Sequence, residues 1–320
     1  MIGSNPSRQL CYNAIMDHSI VFMGSPSFAV PSLEALIASY NIAGVITQPD
    51  RRAGRGRNLQ APPIKEVALA HNISVLQPTS LRKDKEAMNQ LRSWDPELIV
   101  VAAFGQILRQ DVLELPVKGC VNVHASLLPR WRGAAPINAA ILHGDEQTGI
   151  TIMLMDEGID TGPILSQRST PITTHDDAAA LSDRLSRIGA ELLIETLPQY
   201  LSGDITPRKQ EETKATYAPM LSKKDGELDF GRSAEYLARQ VRAYHPWPGS
   251  FTTWNNNILK VLHAHAVSGA GGQAGKKAVH QGLPAIQTKD GLLVLDEVQP
   301  AGKKASPGKN FLLGARDWGK

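Results

Sequence analysis

The chain has 320 residues, 42% hydrophobic and 20% charged, with a formal charge of +3. That balance suits a globular protein of about two domains and excludes a disordered one. No apolar run approaches the ~20 residues of a membrane-spanning helix, and two cysteines, Cys11 and Cys120, cannot staple a secreted scaffold or build a cysteine zinc site.

Residues 1–17 are polar and lack the apolar core of a secretory leader, so a tail and a reducing, cytoplasmic setting are expected. The run 19–23 (SIVFM), followed by Gly24-Ser25-Pro26, predicts a strand leaving into a tight turn. Residues 28–39 have helical spacing, 43–47 (AGVIT) read as a second strand and 62–71 as a second helix. A short strand at 75–76 and a helix at 84–94 follow, then the apolar run 97–103 (ELIVVAA), the pattern of a parallel strand covered on both faces. Residues 120–124 (CVNVH) alternate, with Asn122 and His124 on the same face. Strands are expected at 149–155 and 163–169 around the turn 156–162, and a long amphipathic helix at 177–201. Strands alternating with helices predict an α/β fold, a Rossmann-like, mostly parallel sheet whose ligand crevice lies beyond the carboxyl ends of its strands.

Residues 202–216 turn polar and mixed in charge, so the expected division is two bodies, 18–203 and 217–320, joined by a linker at 204–216. The last body carries a helix at 233–244 and strand-like runs at 251–254, 258–265, 285–288 and 292–298, punctuated by a Gly-rich stretch at 269–275. Short strands with Gly loops predict a small, OB-like β-barrel. Residues 207–320 hold 17 basic and 10 acidic side chains, a net of +7, whereas the remainder holds 17 against 21, a net of −4. A basic C-terminal third suits a polyanionic partner; a solvated lysine-rich surface is the plainer alternative.

No GxGxxG follows the first strand and no GxxxxGK[ST] occurs, so dinucleotide and P-loop roles are unsupported. His263 and His265 alternate onto one strand face without a third ligand nearby and read as ordinary histidines. Asn122-x-His124 is more informative, because an amide donor and an imidazole two apart on a strand can meet one reacting atom. Asp160, on the Gly-rich turn after the next strand, can reach a strand-end histidine. From Gln48 to Lys65 there are five basic residues and one acid, with Arg51, Arg52, Arg55 and Arg57 in a Gly-interrupted segment able to follow a phosphate backbone.

The segment 122–136 (NVHASLLPRWRGAAP) resembles the signature of the formyltetrahydrofolate-dependent transferases, most closely the branch that formylates charged initiator tRNA. The likeness extends to 22–28 (FMGSPSF), 47–57 (TQPDRRAGRGR), 149–162 (GITIMLMDEGIDTG), 246–248 and 300–304 (PAGKK). Ala125 departs from it, since many members carry glycine there. The resemblance implies a Rossmann-like formyltransferase domain and an OB-like tRNA-binding domain. It implies Asn122, His124 and Asp160 as the catalytic set, and a folate contact at Ser126, Leu127, Leu128 and Pro129. It also implies a tRNA contact at Arg51, Arg52, Arg55 and Arg57, with 10-formyltetrahydrofolate as co-substrate and no metal. A monomer that meets charged initiator tRNA and folate, and no membrane, is expected. A small-molecule formyltransferase acting on glycinamide ribonucleotide or an amino sugar could share the three residues, but explains neither the arginine segment nor the basic C-terminal third. A noncatalytic folate- or RNA-binding protein is the reading from another class.

Overall fold

The structure is a computed structural model that describes residues 18–53, 58–269 and 271–319. Seventeen strands appear among the described residues: β1 (Ser19–Gly24), β2 (Asn41–Ile46), β3 (Arg51–Ala53), β4 (Asn58–Gln60), β5 (Val75–Leu76), β6 (Leu98–Ala102), β7 (Cys120–His124), β8 (Arg132–Gly133), β9 (Gln147–Leu154), β10 (Ile164–Pro171), β11 (Tyr217–Ala218), β12 (Ser250–Trp254), β13 (Asn257–Ser268), β14 (Lys277–His280), β15 (Leu283–Gln287), β16 (Gly291–Pro300) and β17 (Ser306–Pro307). They fall in two compact units. One comprises the chain to Arg132 with Gly149–Thr170 and Ser182–Tyr217; the other comprises Gly133–Thr148, Pro171–Leu181 and the chain from Ala218. No helix among the described residues is long and apolar enough to cross a membrane.

The first unit is built on a seven-stranded sheet in the order β10-β9-β7-β6-β1-β2-β5. The β7-β6-β1-β2-β5 pairs are parallel, and β9 joins β7 antiparallel. Every residue of β6 (LIVVA) is buried, as a strand covered on both faces requires. Val21, Met23, Ile46, Ile99, Val101 and Cys120 share one apolar cluster with Met88 and Leu91 of the helix Lys85–Ser93. That helix is capped where its sequence indicates, Asp84 Oδ1 accepting from Ala87 N at 2.9 Å. The strand order reverses direction between β1 and β6, so the carboxyl ends of these two strands flank the topological switch point.

The second unit carries an antiparallel sheet in the order β12-β13-β16-β15-β14, with β17 on β16. Among the described residues no pairing joins β12 to β14. Helix Ala234–Ala243, capped by Ser233 Oγ, lays Leu237 and Val241 on Leu259, Val261, Leu293 and Leu295. Phe311 meets Trp254 and Trp318 edge-on, at 4.9 and 5.4 Å between ring centres.

Two features differ from the sequence reading. The helix Pro136–His143 belongs to the second unit, where Asn138 Nδ2 donates to Ala243 O at 2.6 Å. The segment 204–216 is no free tether: Arg208 and Ile164 exchange backbone bonds of 2.8 Å in each direction. Polar composition marks a segment that needs no core of its own, which an edge-paired backbone satisfies as well as a linker does.

Gly149 lies in β9, where an added Cβ would stand 2.1 Å from the Arg168 carbonyl oxygen and 2.6 Å from Leu127 Cδ2. The backbone of β10 cannot retreat without breaking its pairing. Gly149→Ala is expected to destabilise the protein by about 1–3 kcal/mol. Urea unfolding checks it, and a change within a few tenths would contradict the close packing.

Candidate active site

Strand β7 delivers Asn122 and His124 to its carboxyl end, opposite Met153 and Thr151 of β9. The connection after β9 then doubles back. Asp156 Oδ1 accepts from Gly158 N at 3.1 Å and from Thr161 Oγ1 at 2.6 Å, closing the turn on itself. Gly162 lets the turn lie on its own strand, since a Cβ there would sit 1.9 Å from Leu154 O. Between them Asp160 takes a left-handed backbone, φ 53°, an uncommon conformation for a residue with a side chain.

The three side chains converge. Asn122 Nδ2 donates to Asp160 Oδ1 at 3.4 Å, and His124 Nδ1 lies 3.5 Å from the same oxygen. His124 is only 5% exposed, and its Nε2 stands 3.0 Å from the Trp131 carbonyl oxygen. A carbonyl can only accept, so Nε2 carries a hydrogen and donates it there. Nδ1 and Asp160 Oδ1 then attract each other when one proton lies between them.

The 126–129 loop sits against this pair, and the Leu128–Pro129 peptide is cis. Ser126 Oγ is consumed inside the loop, donating to Arg130 O at 2.6 Å. Thr151 Oγ1 donates to Ser126 O at 2.6 Å and accepts from Leu128 N at 3.0 Å. Gln167 Nε2 donates to Leu128 O at 2.9 Å. Ser126 and Leu128 are therefore buried anchors, while Leu127 and Pro129 keep partly open surfaces. At the switch point, Gln48 ties the connections after β1, β2 and β6 together. Its backbone N donates to Ser25 Oγ at 3.0 Å, and its Nε2 donates to Phe104 O at 3.1 Å.

Behind the triad lies a polar chain that the sequence did not announce. Gln210 Nε2 donates to both Asp160 O and Gly162 O, each at 2.8 Å. Its Oε1 accepts from Arg132 Nε at 3.1 Å and Nη2 at 2.9 Å. Arg132 is wholly buried, and it also donates to both carboxylate oxygens of Glu212, at 2.7 and 2.9 Å. The Arg132 guanidinium holds the Glu212 carboxyl below the usual range against a smaller, opposing desolvation. Arg132 stands inside the signature segment and could have been singled out there. Gln210 carries no local signal.

The basic segment is a hairpin at its base, Arg51↔Gln60 and Arg52↔Leu59 being paired. Arg51 and Arg52 are exposed; Arg55 and Arg57 lie outside the described residues. Hydrogen bonds from Gln77 and then Lys65 lower the Asp50 carboxyl below its ordinary range. The one acid of the segment is thus already matched by Lys65. Cys120, near the triad, is buried and its thiol is pushed up to about 12 by desolvation. In the second unit His263 pairs with Glu297 at 2.8 Å and His265 with Asp296 at 2.9 Å, each an exposed single-carboxylate contact.

Residues 18–197 match the Formyl transferase family, and residues 220–316 match the Formyl transferase, C-terminal domain. A methionyl-tRNA formyltransferase of Pelobacter propionicus is 48% identical over 297 residues, covering 92% of this chain and 93% of that protein. One from Myxococcus xanthus is 46% identical over 295 residues, covering 92% and 94%. Among solved structures, the sugar 3N-formyl transferase WlaRD, crystallised with dTDP and 5-N-formyl-THF, is similar with a TM-score of 0.66 at 20% identity, covering 90% of this chain and 99% of that one. The methionyl-tRNA formyltransferase of Clostridium thermocellum is similar with a TM-score of 0.54 at 16% identity, covering 88% and 98%. At these identities the solved structures speak to the fold.

The ion pair beneath the triad has a pH signature. A carboxyl whose value is lowered on folding adds stability above its unfolded value and loses it as pH falls through the folded one. The stability difference between wild type and Glu212→Gln is therefore expected at pH 7, and expected to shrink as pH drops below about 4.3, the ordinary glutamate value. Urea unfolding at pH 7 and pH 3 checks it. An equal difference at both would show that the ionised contact is not what Glu212 contributes.

Proposed function

Because the chain belongs to the formyl transferase family in both its N-terminal and C-terminal parts, we propose that it moves the formyl group of 10-formyltetrahydrofolate to the α-amine of methionyl initiator tRNA, for translation initiation. One observation carries the chemistry: an amide nitrogen, an imidazole and a carboxylate meet within 3.5 Å at the end of β7. The donor supplies an activated formyl group when bound. The residues present suit it: Gly105 leaves the backbone after β6 bare, Ile107 is 82% exposed, and Leu127 and Pro129 offer apolar surface.

Asn122 Nδ2 is the donor for the oxygen that gathers negative charge as the amine attacks, and its long contact to Asp160 is readily exchanged for that stronger one. His124 has only Nδ1 to offer, since Nε2 is committed to Trp131. The proton leaving the amine is taken by the Asp160–His124 pair, whose facing atoms share one site. We assign these three as the catalytic residues, 126–129 as the folate-side loop, and Arg51, Arg52, Arg55 and Arg57 as a contact for the acceptor end of the tRNA. The sheet of the second unit is read as OB-like, residues 217–320 as the tRNA-binding domain, and the active form as a cytoplasmic monomer. The net +7 of residues 207–320 supports a phosphate-bearing partner.

Asn122→Ala is expected to lower kcat by about 10²–10³, the scale of one lost oxyanion donor. An acceptor assay separates the family's branches: charged initiator tRNA should be formylated, and charged elongator tRNA and glycinamide ribonucleotide should not. Preference for glycinamide ribonucleotide would overturn the tRNA reading. Replacing Arg51 and Arg52 together by alanine should lower kcat/KM for charged tRNA and flatten its dependence on log salt by about 1.5–2, as two lost phosphate contacts would. Folate affinity should be unchanged. A double variant with wild-type kcat/KM and salt slope would make the hairpin a solvated surface.

A further inference from the structure

We propose that Gln210 is a positioning residue for formyl transfer: it holds the Asp160 turn against Asn122 and His124, and Arg132 with Glu212 fixes the amide that does so. The inference rests on the assignment of Asp160 in the preceding subsection.

Every hydrogen-bonding site of the Gln210 side chain is used in one direction only. Its two N–H groups point at carbonyl oxygens, Asp160 O and Gly162 O, both 2.8 Å away. Its carbonyl oxygen receives two guanidinium N–H groups, at 3.1 and 2.9 Å. Carbonyls only accept and guanidinium only donates, so turning the amide over would set four like groups against each other. The Glu212 carboxylate holds the guanidinium from its other edge at 2.7 and 2.9 Å. The orientation is fixed from glutamate to arginine to glutamine to turn.

The turn needs such a holder. Asp160 is a non-glycine residue at φ 53°, a conformation kept only when the surroundings insist on it. Gln210 grips the carbonyl of the strained residue itself and the carbonyl two residues on. The same segment governs the imidazole. Thr216 Oγ1 accepts from Trp131 N at 2.9 Å, and Thr216 O accepts from Arg132 N at 2.9 Å, fixing the peptide whose carbonyl receives His124 Nε2. Residues 210–216 thus set both halves of the Asp160–His124 pair. A shift of about 1 Å in a reacting geometry costs up to about 10²-fold in rate, so loosening this grip should be felt in turnover rather than in binding.

The test is a double-mutant cycle in the full chain, with formyl donor and charged initiator tRNA. Gln210→Ala removes both grips; Gln210→Glu keeps the oxygen that Arg132 binds but cannot donate to two carbonyls. Folded variants, checked by thermal midpoint, should show kcat lower by about 10- to 100-fold with KM for both substrates within about twofold. On an Asp160→Asn background the same Gln210 changes should cost less than about twofold more, because their effect passes through Asp160. If Gln210→Ala does not fold, Gln210→Glu carries the cycle alone. Wild-type kcat in a folded Gln210 variant, or an undiminished loss on the Asp160→Asn background, overturns the positioning role while Asp160 keeps its place. Near-normal turnover of Asp160→Asn by itself would instead remove the site assignment, and the positioning role with it.

Discussion

Arg132 is wholly buried, and a guanidinium taken out of water must recover its hydrogen bonds from the protein or cost several kcal/mol. Its partners Gln210 and Glu212 come from 78 and 80 residues away in the chain. That requirement explains why residues 204–216 lie along the first unit instead of swinging free. Once Arg132 has drawn them in, the amide of Gln210 has one orientation left, and the turn carrying Asp160 has a fixed place. A strong interaction away from Asn122, His124 and Asp160 therefore sets the weak ones among them. The Asn122 and His124 contacts to Asp160, at 3.4 and 3.5 Å, are long, as the proposed exchange for substrate requires.

The sheet adds a second constraint. Reversal of strand order between β1 and β6 opens the crevice at their carboxyl ends, and β7 is the next strand out. Pairing of β9 antiparallel to β7 lets the chain leave β9 and return as the Asp160 turn on one edge of that crevice. Thr151, facing His124 across the pair, pins the 126–129 loop with its hydroxyl. One strand register thus places the imidazole, the carboxylate and the 126–129 loop together. A one-residue slip would turn Asn122 and His124 to the other face.

Strands with a one-period pattern were plain in the sequence. CVNVH gave β7 at its true ends, and ELIVVAA gave β6 with its two-sided burial. The helix Pro136–His143 was hidden because Pro136 and residues 139–142 are all buried, leaving no polar face to create a helical stripe. β14, a short edge strand, and the helix Gly308–Gly314 are too brief for periodicity to speak. The convergence of Asn122, His124 and Asp160 was foreshadowed by residue type, spacing and the signature they share with a family. Gln210 was not. Its role depends on a fold that closes a gap of 50 residues to Asp160, and an isolated glutamine in a polar stretch has no pattern to betray it.

The surroundings of Cys120 bear on whether the formyl group ever rests on the protein. Thiolate, not thiol, is the nucleophile, and burial pushes this thiol up to about 12. Its sulfur lies 3.7 Å from the Val112 carbonyl within the apolar cluster behind the sheet. At neutral pH it is therefore a small core residue. Ser126, in the loop after β7, is buried and spends its hydrogen on Arg130 O at 2.6 Å. Cys120 and Ser126 are thus ill suited to carry an acyl intermediate. In the proposed assignment Asn122, His124 and Asp160 receive charge and protons without bonding to carbon. In the proposed reaction this favours direct transfer from donor to amine, so both substrates must be bound together, and the rate depends on how firmly their geometry is held. In that reading a wholly buried anchor such as Arg132 serves the requirement from behind the turn.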